Sequence, residues 1–226
     1  MDERVAVVTG GLGVLGSAVA RAAAARGLKV AIIDHASTSA PLDGTVVLGG
    51  VDLTDADEAS SAIGEVISEL GGIDILFNIA GGFRWITLEG SGAEDWDRLF
   101  AINVQTAANA SRAAIPTLKA SPAGRIVNVG AGAAEKAAAG MGPYAAAKSG
   151  VHRLTESLAE ELKGSGVTVN AVLPSIIDTL QNRADMPRAD FANWVRPDEL
   201  AAVMLFLASE EASAVTGALI RVSGRV

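Results

Sequence analysis

The sequence predicts an α/β fold, a single doubly wound domain with a seven-stranded parallel sheet. Short Val-, Ile- and Leu-rich runs alternate with longer helical patterns along the 226 residues. The short runs are continuously apolar, as expected for strands that helices cover on both faces. Crossovers between such strands are almost always right-handed and give parallel pairing. The sheet is therefore expected to be open and Rossmann-like.

The elements follow one another in a regular order. The predicted strands are the seven apolar runs at residues 5–9, 29–33, 45–48, 73–78, 125–129, 167–173 and 218–222. The predicted helices are the five longer segments at residues 15–26, 55–70, 93–120, 144–164 and 198–207. Thr54 is expected to cap the second helix, because Asp57 and Glu58 suit a first helical turn. No repeat and no Pro- or Ser-rich linker divides the chain, so one domain over residues 1–226 is expected.

Composition excludes several classes of protein. Hydrophobic residues make up 50% of the chain and charged residues 19%, and the mean hydropathy is +0.34, which is typical of a compact globular protein. The net charge of −8 and the pI of about 4.8 argue against nucleic acid or an anionic membrane as a partner. Both of those partners select basic surfaces. A small-molecule substrate is the expected partner.

The chain has no Cys, which removes disulfide frameworks, zinc ribbons and thiol catalysis. Its two His, His35 and His152, are far apart in sequence, so no metal site is expected, although carboxylates alone can hold Mg²⁺. The first residues lead into an apolar strand without a signal-peptide pattern, and no run reaches the ~18 apolar residues of a membrane span. A cytoplasmic protein is expected.

A glycine-rich turn follows the first predicted strand. Gly11, Gly13 and Gly16 form a G-x-G-x-x-G pattern between that strand and an Ala-rich helix. Glycines allow a tight turn and close backbone approach, and the helix amino terminus offers free N–H groups to a pyrophosphate. The segment predicts a dinucleotide site, with a purely structural turn as the alternative.

Asp34 ends the second predicted strand, 18 positions after Gly16 and close to the ~20 expected for the acid that binds an adenosine ribose. Its charge would repel a 2′-phosphate, and no Arg or Lys follows at residues 35–40, so NAD(H) is expected to be preferred and NADP(H) is less favoured. A turn-capping Asp is the alternative. Asp52, after the third strand, is expected to meet the adenine edge.

Tyr144 and Lys148 are four residues apart, which puts a phenol and an ammonium on the same face of one helix. An adjacent cation favours the phenolate and lowers the pKa of the tyrosine toward the working pH. Tyr144 is therefore predicted to be a general acid or base. A packed Tyr beside a solvated Lys is the alternative.

Three loops leave the carboxyl ends of predicted strands, where open α/β sheets bind their ligands: residues 81–92, 131–142 and 174–197. The first and third are expected to line the pocket, and the second to close over a ligand or to be loose. Four loop aromatics could stack on a flat conjugated substrate or act as lids and packing anchors: Phe83, Trp85, Phe191 and Trp194.

Over essentially its whole length the chain resembles a short-chain dehydrogenase/reductase. Its motifs follow the family's order and intervals, and they are residues 9–16, Asp52-Leu53, residues 78–81, Asn103-Val104, Tyr144-x-x-x-Lys148 and residues 174–179. The resemblance implies an NAD(P)-dependent oxidoreductase in which Tyr144, Lys148 and Asn103 are catalytic. It also implies that Lys148 binds the nicotinamide ribose and that Asn103 orders a water linking Lys148 to solvent.

The resemblance implies a set of cofactor-binding residues, which are Gly10, Leu12, Gly13, Val14, Leu15, Gly16, Asp34, Asp52, Leu53, Asn78, Ala80, Gly81, Tyr144, Lys148, Pro174, Ile177 and Thr179. In the family, Asn78, Ala80 and Gly81 correspond to the adenosine side, and Ile177 and Thr179 to the nicotinamide carboxamide. The alternatives are that Asn103 only bonds a helix carbonyl and that Thr179 only caps a turn. The family's two long helices pair across subunits, which implies a homodimer or homotetramer.

Two positions depart from the family pattern. Val14 replaces a usual Gly, and Ala131 stands where the family has its substrate-binding Ser. Loss of one positioned donor costs about 10² to 10³ in rate. A simple ketone reductase is therefore expected to be impaired unless a water, Glu135 or Lys136 substitutes.

The absence of this Ser resembles the pattern of the dihydropteridine reductase branch. Residues 10–16, 80–83 and 173–194 also resemble segments of that branch. The expected function is NAD(H)-dependent hydride transfer to a small carbonyl or quinonoid substrate, with Tyr144 as general acid or base. Two alternatives stay open. The protein is a dihydropteridine reductase proper, or it is a non-catalytic dinucleotide-binding redox sensor that lost its chemistry with the Ser.

Overall fold

The computed structural model describes residues 4–37 and 44–226, and they form a single α/β domain around one seven-stranded sheet. The strands are β1 (Val5–Thr9), β2 (Lys29–Asp34), β3 (Thr45–Gly49), β4 (Ile75–Asn78), β5 (Arg125–Val129), β6 (Thr168–Pro174) and β7 (Leu219–Val222). Their order across the sheet is β3-β2-β1-β4-β5-β6-β7, and every pairing is parallel. The predicted fold class is confirmed. Part of the predicted stretch after Asp34, residues 38–43, lies outside the described residues.

Seven α-helices flank the sheet in the described part of the chain. They are α1 (Val14–Ala24), α2 (Ala56–Leu70), α3 (Ala93–Phe100), α4 (Thr106–Ala120), α5 (Gly142–Leu162), α6 (Leu180–Asp185) and α7 (Pro197–Leu207). None of these helices is long and apolar enough to span a membrane.

Helices cover both faces of the sheet, which explains the continuous apolar strands. In β1, Ala6 and Val8 pack on the side of α1 and α7, while Val5 and Val7 pack on the side of α2, α4 and α5. All four are buried. Burial of each of the three Val side chains stabilises the fold by about 1.5–3 kcal/mol, so the packed faces of the sheet contribute strongly to stability.

Several element ends differ from the predicted ones by one or two residues, and three expectations differ in kind. The helix expected over residues 93–120 contains a π-helical turn, Ala101–Gln105, between α3 and α4. Asp55, and not Thr54, caps α2, because its carboxylate accepts the backbone N–H groups of Asp57 and Glu58 at 2.8 and 3.0 Å. The loop expected at residues 174–197 contains α6 and a 3₁₀ turn.

The carboxyl ends of the central strands meet at one edge of the sheet. Thr9 is paired with Asn78, and Asn78 with Asn128. The Thr9 hydroxyl also accepts the N–H groups of Ile79 and Ala80 at 3.0 and 3.1 Å. The glycine-rich turn, the loop after β4 and the loop after β5 therefore begin side by side.

Candidate active site

The glycine-rich turn has the shape of a phosphate cradle. Gly10 has a φ of +65°, and a Cβ there would lie 2.9 Å from the backbone of Ala80. A Cβ on Gly16 would lie 2.1 Å from the Gly10 carbonyl oxygen. Gly13 is the N-cap of α1 without a side-chain cap, so the first turn of α1 offers backbone N–H groups without a capping side chain. The turn therefore fits the pyrophosphate of a dinucleotide.

The remaining residues of the turn contribute in different ways. Gly13 and Val14 are exposed, whereas Leu15 and Gly16 are buried. The Leu15 side chain packs in the core with α1, so only its backbone is available to a ligand. The Leu12 side chain also packs against this core, while its backbone N–H faces Asp34.

Asp34 is brought directly to the turn. One of its carboxylate oxygens accepts the Leu12 N–H at 2.9 Å, and the other accepts the N–H of Ala36 at 2.9 Å. The second bond is the local turn that was the alternative interpretation of this residue. Asp34 therefore caps its own turn and also lies beside the proposed cradle.

Asp52 and Leu53 follow β3. The Asp52 carboxylate accepts the hydroxyl and the N–H of Thr54 at 2.7 and 2.8 Å, and these bonds lower the pKa of Asp52. Leu53 is buried among core residues, and its carbonyl accepts Asn109 Nδ2. The Leu53 side chain is thus packed in the core, and its predicted contact with a cofactor would involve its backbone.

The Asn78 side chain also lies inside the protein. Its side-chain Nδ2 donates to Ser111 Oγ at 2.9 Å and to Asn128 Oδ1 at 2.8 Å, and the side chain is buried. Asn128 in turn donates to Thr155 Oγ1 at 2.8 Å. The network ties β4 to β5, α4 and α5. Asn78 therefore supports the sheet edge from inside, and only its backbone could border a cofactor.

Gly81, Asn103 and Lys148 converge behind the loop after β4. A Cβ on Gly81 would lie 2.6 Å from Asn103 Oδ1 and 3.5 Å from Lys148 Nζ. Asn103 Oδ1 accepts the N–H of Gly82 at 3.2 Å, and Asn103 Nδ2 donates to the carbonyls of Gly82 and Leu99 at 3.0 and 2.9 Å. The expected helix-carbonyl bond is present, but Asn103 also clamps the loop.

Lys148 is buried, and its Nζ donates to the Val129 carbonyl at 2.8 Å.

The electrostatics of Tyr144 differ from the sequence-based expectation. Burial raises the pKa of Tyr144 to about 12 and lowers the pKa of Lys148 to about 8. Burial outweighs any attraction of the phenolate to Lys148, because both charged forms lose hydration. The expected lowering of the Tyr144 pKa is therefore not observed.

Ala131 lies beside His152, a residue that the sequence interpretation left without a role. His152 Nε2 accepts the Ala131 N–H at 3.4 Å, and a Cβ on Gly130 would lie 2.5 Å from that nitrogen. Burial lowers the pKa of His152, so the ring is neutral at pH 7. Its signal in the sequence was its position four residues after Lys148, on the same helical face.

Glu135 does not replace the missing Ser hydroxyl. Its two oxygens accept Arg221 Nε and Nη2 at 2.6 and 2.9 Å, and this pairing lowers the pKa of Glu135. An ionised carboxylate has no proton to donate. Lys136 and a bound water remain the predicted substitutes.

Pro174, Ile177 and Thr179 follow the carboxyl end of β6. Pro174 is the last residue of β6, and Ile177 forms an isolated parallel bridge with Val195. The Thr179 hydroxyl accepts the N–H of Asn182 at 3.1 Å and caps α6. The alternative capping role of Thr179 is therefore present.

The four loop aromatics separate into two pairs. Phe83 packs edge-on against Tyr144, with ring centroids 4.9 Å apart, and Trp85 is exposed nearby in the chain. Phe191 and Trp194 pack on each other at 4.8 Å, and Trp194 is only 5% exposed. Trp194 is therefore a packing anchor, which is one of the two roles expected for the loop aromatics. Its buried ring is not available to stack on a substrate. No group of three potential metal ligands occurs among residues 4–37 and 44–226.

Comparison with known proteins gives matches over nearly the whole chain. A sequence model described as short chain dehydrogenase matches residues 4–189. The chain is 33% identical to the 3-oxoacyl-(acyl-carrier-protein) reductase FabG of Vibrio cholerae, over 99% of this chain and 97% of that protein. It is 34% identical to the D-threitol dehydrogenase of Mycolicibacterium smegmatis, over 99% and 93% of the two chains.

Solved structures match equally well. The ligand-free aldohexose dehydrogenase of Thermoplasma acidophilum superposes with a TM-score of 0.89 at 27% identity, over 98% of this chain and 93% of that one. None of the three relatives described here is a dihydropteridine reductase. Placement on that branch stays a prediction.

Proposed function

Because the chain belongs to the short-chain dehydrogenase family, we propose that it is an NAD(H)-dependent oxidoreductase in which Tyr144 is the general acid or base. The substrate is a small carbonyl or quinonoid compound, and residues 1–226 act as one dinucleotide-binding and catalytic domain. The names of the relatives support a carbonyl or alcohol group as the reacting group. They support no particular substrate for this chain.

The observation that carries the proposal is the convergence of four residues at the carboxyl edge of the sheet. Lys148, Asn103 and Gly81 lie within a few ångströms of one another, and the loop that Asn103 clamps continues to Phe83, which touches Tyr144. The glycine-rich turn begins beside the same loop, because Thr9 bonds the backbone of Ile79 and Ala80. A dinucleotide bound along this edge would extend from the turn toward Tyr144.

The chain's own residues would handle position and protons. Bound NADH would supply the hydride. Tyr144 would donate its hydroxyl proton to the substrate oxygen or nitrogen, so that C=O becomes CH–OH or C=N becomes CH–NH. Lys148 would hold the nicotinamide ribose, and its ammonium would favour the phenolate that remains. Asn103 would hold the loop after β4 and a proton-relay water in position.

Cofactor preference rests on Asp34. Its carboxylate lies next to the cradle and bonds Leu12, so a 2′-phosphate at the adenosine ribose would meet a negative charge. We propose NAD(H) as the preferred cofactor on this ground.

The proposal is tested by Tyr144→Phe. The variant removes the only phenol in the chain and keeps the ring, so NADH binding is expected to persist while turnover falls by about 10² or more. Binding is measured by NADH fluorescence and turnover by NADH oxidation with a mixed panel of ketones, quinones and quinonoid pterins. Turnover retained at the wild-type level would remove Tyr144 from the mechanism.

A redox sensor on the same fold is the second candidate, and Ala131 is the observation that favours it, since the side chain there carries no hydroxyl. The same panel separates the candidates. Turnover with any member contradicts the sensor, and turnover confined to quinonoid pterins favours a dihydropteridine reductase.

Family membership also supports a homodimer or homotetramer that forms through α4 and α5. Sedimentation analysis of the purified protein would measure the state directly. A monomer at all concentrations would contradict this part of the proposal.

A further inference from the structure

Residues 83–86 form a short irregular segment after β4 that we name the 83–86 strap. Each of its four residues makes a specific contact outside the strap. Phe83 packs on Tyr144, the Arg84 guanidinium pairs with the Asp95 carboxylate, Trp85 Nε1 donates to the Ala139 carbonyl at 2.9 Å, and the Ile86 N–H donates to the Gly140 carbonyl at 2.8 Å. A loop that only covered a pocket would not require a specific partner at every position.

Trp85 fixes the strap to the start of α5. Its indole lies directly against Gly140, where a Cβ would be 2.1 Å from the ring, and Gly140 has a φ of +76°. Helix α5 begins at Gly142, two residues later, and Tyr144 lies in its first turn. The tryptophan is 59% exposed, so burial alone does not account for its position. Its hydrogen bond and its contact with Gly140 do.

Phe83 packs against the ring of Tyr144. The two rings meet at an interplanar angle of 88°, the edge-to-face arrangement that aromatic pairs favour by about 0.5–1.5 kcal/mol. The Tyr144 hydroxyl forms no hydrogen bond with any residue that the structure describes, so its position depends on helix α5 and on this ring contact. Phe83 itself is 54% exposed. Tyr144 is partly exposed, and Phe83 covers part of it through this ring contact.

The base of the strap is held by Asn103. Asn103 bonds both the N–H and the carbonyl of Gly82, the residue before Phe83. The strap is thus fixed to the proposed proton-relay residue at one end and to the start of α5 at the other.

We propose that the 83–86 strap is a positioning device for Tyr144, in which Trp85 anchors the start of α5 and Phe83 holds the tyrosine ring and keeps water from it. The proposal rests on the proposed function, because positioning matters only if Tyr144 transfers the proton. Phe83 and Trp85 act through Tyr144 and are positioning residues.

The single tyrosine of the chain makes the test direct. Protein labelled with ¹³C at the tyrosine ζ carbon gives one resonance, and its shift with pH reports ionisation of Tyr144 alone. The wild-type midpoint is expected near the value of about 12 that burial produces. Phe83→Ala is expected to lower it toward 10, and Trp85→Phe, which keeps a ring but removes the N–H, is expected to lower it by a smaller amount.

Leu88→Ala is the matched control, because Leu88 is an exposed apolar residue of the same loop and lies outside the strap. It is expected to leave the midpoint unchanged. At pH 7 the same resonance is expected to move in Phe83→Ala, since the aromatic neighbour is lost, and not in Leu88→Ala. Circular dichroism at each pH restricts the titration to folded protein, and the comparison at pH 7 does not depend on stability at high pH. An unmoved midpoint and an unmoved resonance in folded Phe83→Ala would overturn the proposal.

Turnover supplies the second measurement. Trp85→Phe is expected to reduce kcat by about tenfold or more with little change in the KM for NADH, because small misplacements of a reacting group are costly. An unchanged kcat beside an unchanged Tyr144 resonance in this variant would overturn the anchor role of Trp85. Absence of turnover in the wild type would contradict the proposed function instead, and the resonance would still decide whether the strap positions Tyr144.

Discussion

Tyr144 and Lys148 respond to burial in opposite directions. The neutral phenol is favoured in one case and the neutral amine in the other, so the pKa of Tyr144 rises to about 12 and that of Lys148 falls to about 8. Lys148 also uses a proton to bond the Val129 carbonyl. The lowering of the Tyr144 pKa that Lys148 was expected to cause is therefore opposed by the burial of both groups.

Lys148 makes the stability depend on pH. Its pKa is lower in the folded protein than its ordinary 10.5, so the unfolded chain binds more protons between about pH 8 and pH 10.5. The free energy of unfolding contributed by this group therefore rises with pH through that window. Relative to Lys148→Met, the wild type is expected to gain about 1–3 kcal/mol between pH 8 and pH 10, measured by urea unfolding. A constant difference between the two proteins would contradict the buried-amine assignment.

Tyr144 acts in the other direction at higher pH. Its pKa is raised from 10.0 to about 12, so the unfolded chain loses its proton first and stability falls as pH rises through that range. The contribution of Lys148 to the free energy of unfolding is therefore measured below about pH 10, where Tyr144 does not yet affect it.

Asp34 should determine the choice between NADH and NADPH. Asp34→Asn keeps an oxygen that can accept the Leu12 N–H but removes the charge that would face a 2′-phosphate. The ratio of NADH to NADPH affinity is expected to fall by about tenfold or more, which isothermal titration with each nucleotide measures. Wild-type protein that binds NADPH as tightly as NADH would refute the charge argument.

At the scale of elements, the turn between β1 and α1 is determined by close contacts. Gly10 needs its positive φ, and Gly16 needs the absence of a Cβ because the Gly10 carbonyl lies in that space. The sequence pattern predicted this turn because steric limits of glycine are local.

Gly16→Ala and Gly64→Ala form a matched pair of substitutions in helices. A Cβ at Gly16 would overlap the Gly10 carbonyl, whereas a Cβ at Gly64 on α2 meets nothing within 4 Å. Gly16→Ala is expected to lower the free energy of unfolding by about 1–3 kcal/mol and to weaken NADH binding. Gly64→Ala is expected to raise it by about 0.5–1 kcal/mol. Equal effects in denaturant unfolding would mean that the turn tolerates a side chain.

The π-helical turn at Ala101–Gln105 is an element that the sequence pattern did not predict. An extra residue in one turn changes the face on which the following residues lie, and periodicity over residues 93–120 does not reveal it. Asn103 lies within this turn and bonds the loop after β4. Its role as a clamp was therefore visible only in the structure.

At the scale of the whole molecule, the sheet order places β1, β4, β5 and β6 side by side, and their carboxyl ends carry the candidate site. Residues from the two halves of the chain meet there, so the site exists only in the folded protein. Binding should therefore stabilise the fold as a whole.

NADH is expected to raise the Tm of the protein. At 100 times its Kd, a ligand that binds only the folded state adds about 2.7 kcal/mol, which is several degrees for a domain of this size. Tyr144→Phe should retain this shift and Gly16→Ala should reduce it, as followed by thermal unfolding with and without NADH. No shift in the wild type at millimolar NADH would contradict a dinucleotide site.

The sequence by itself determined the seven parallel strands, the glycine-rich turn and the pairing of Tyr144 with Lys148 on one helix. These features depend on apolar periodicity, on backbone sterics and on spacing within a helix, all of which are local. The resemblance to the short-chain dehydrogenase/reductase family also identified Ala131 as the position of a missing hydroxyl, because that departure is a matter of residue identity.

Only the tertiary structure decided which side chains are free to act. It placed the Asn78 side chain in an internal network, buried Trp194, occupied Glu135 with Arg221 and attached Trp85 to the start of α5. It also reversed the expected direction of the Tyr144 pKa. Hydration and hydrogen bonding depend on neighbours that are distant in the chain, so these outcomes follow from the folded packing and not from the order of residues.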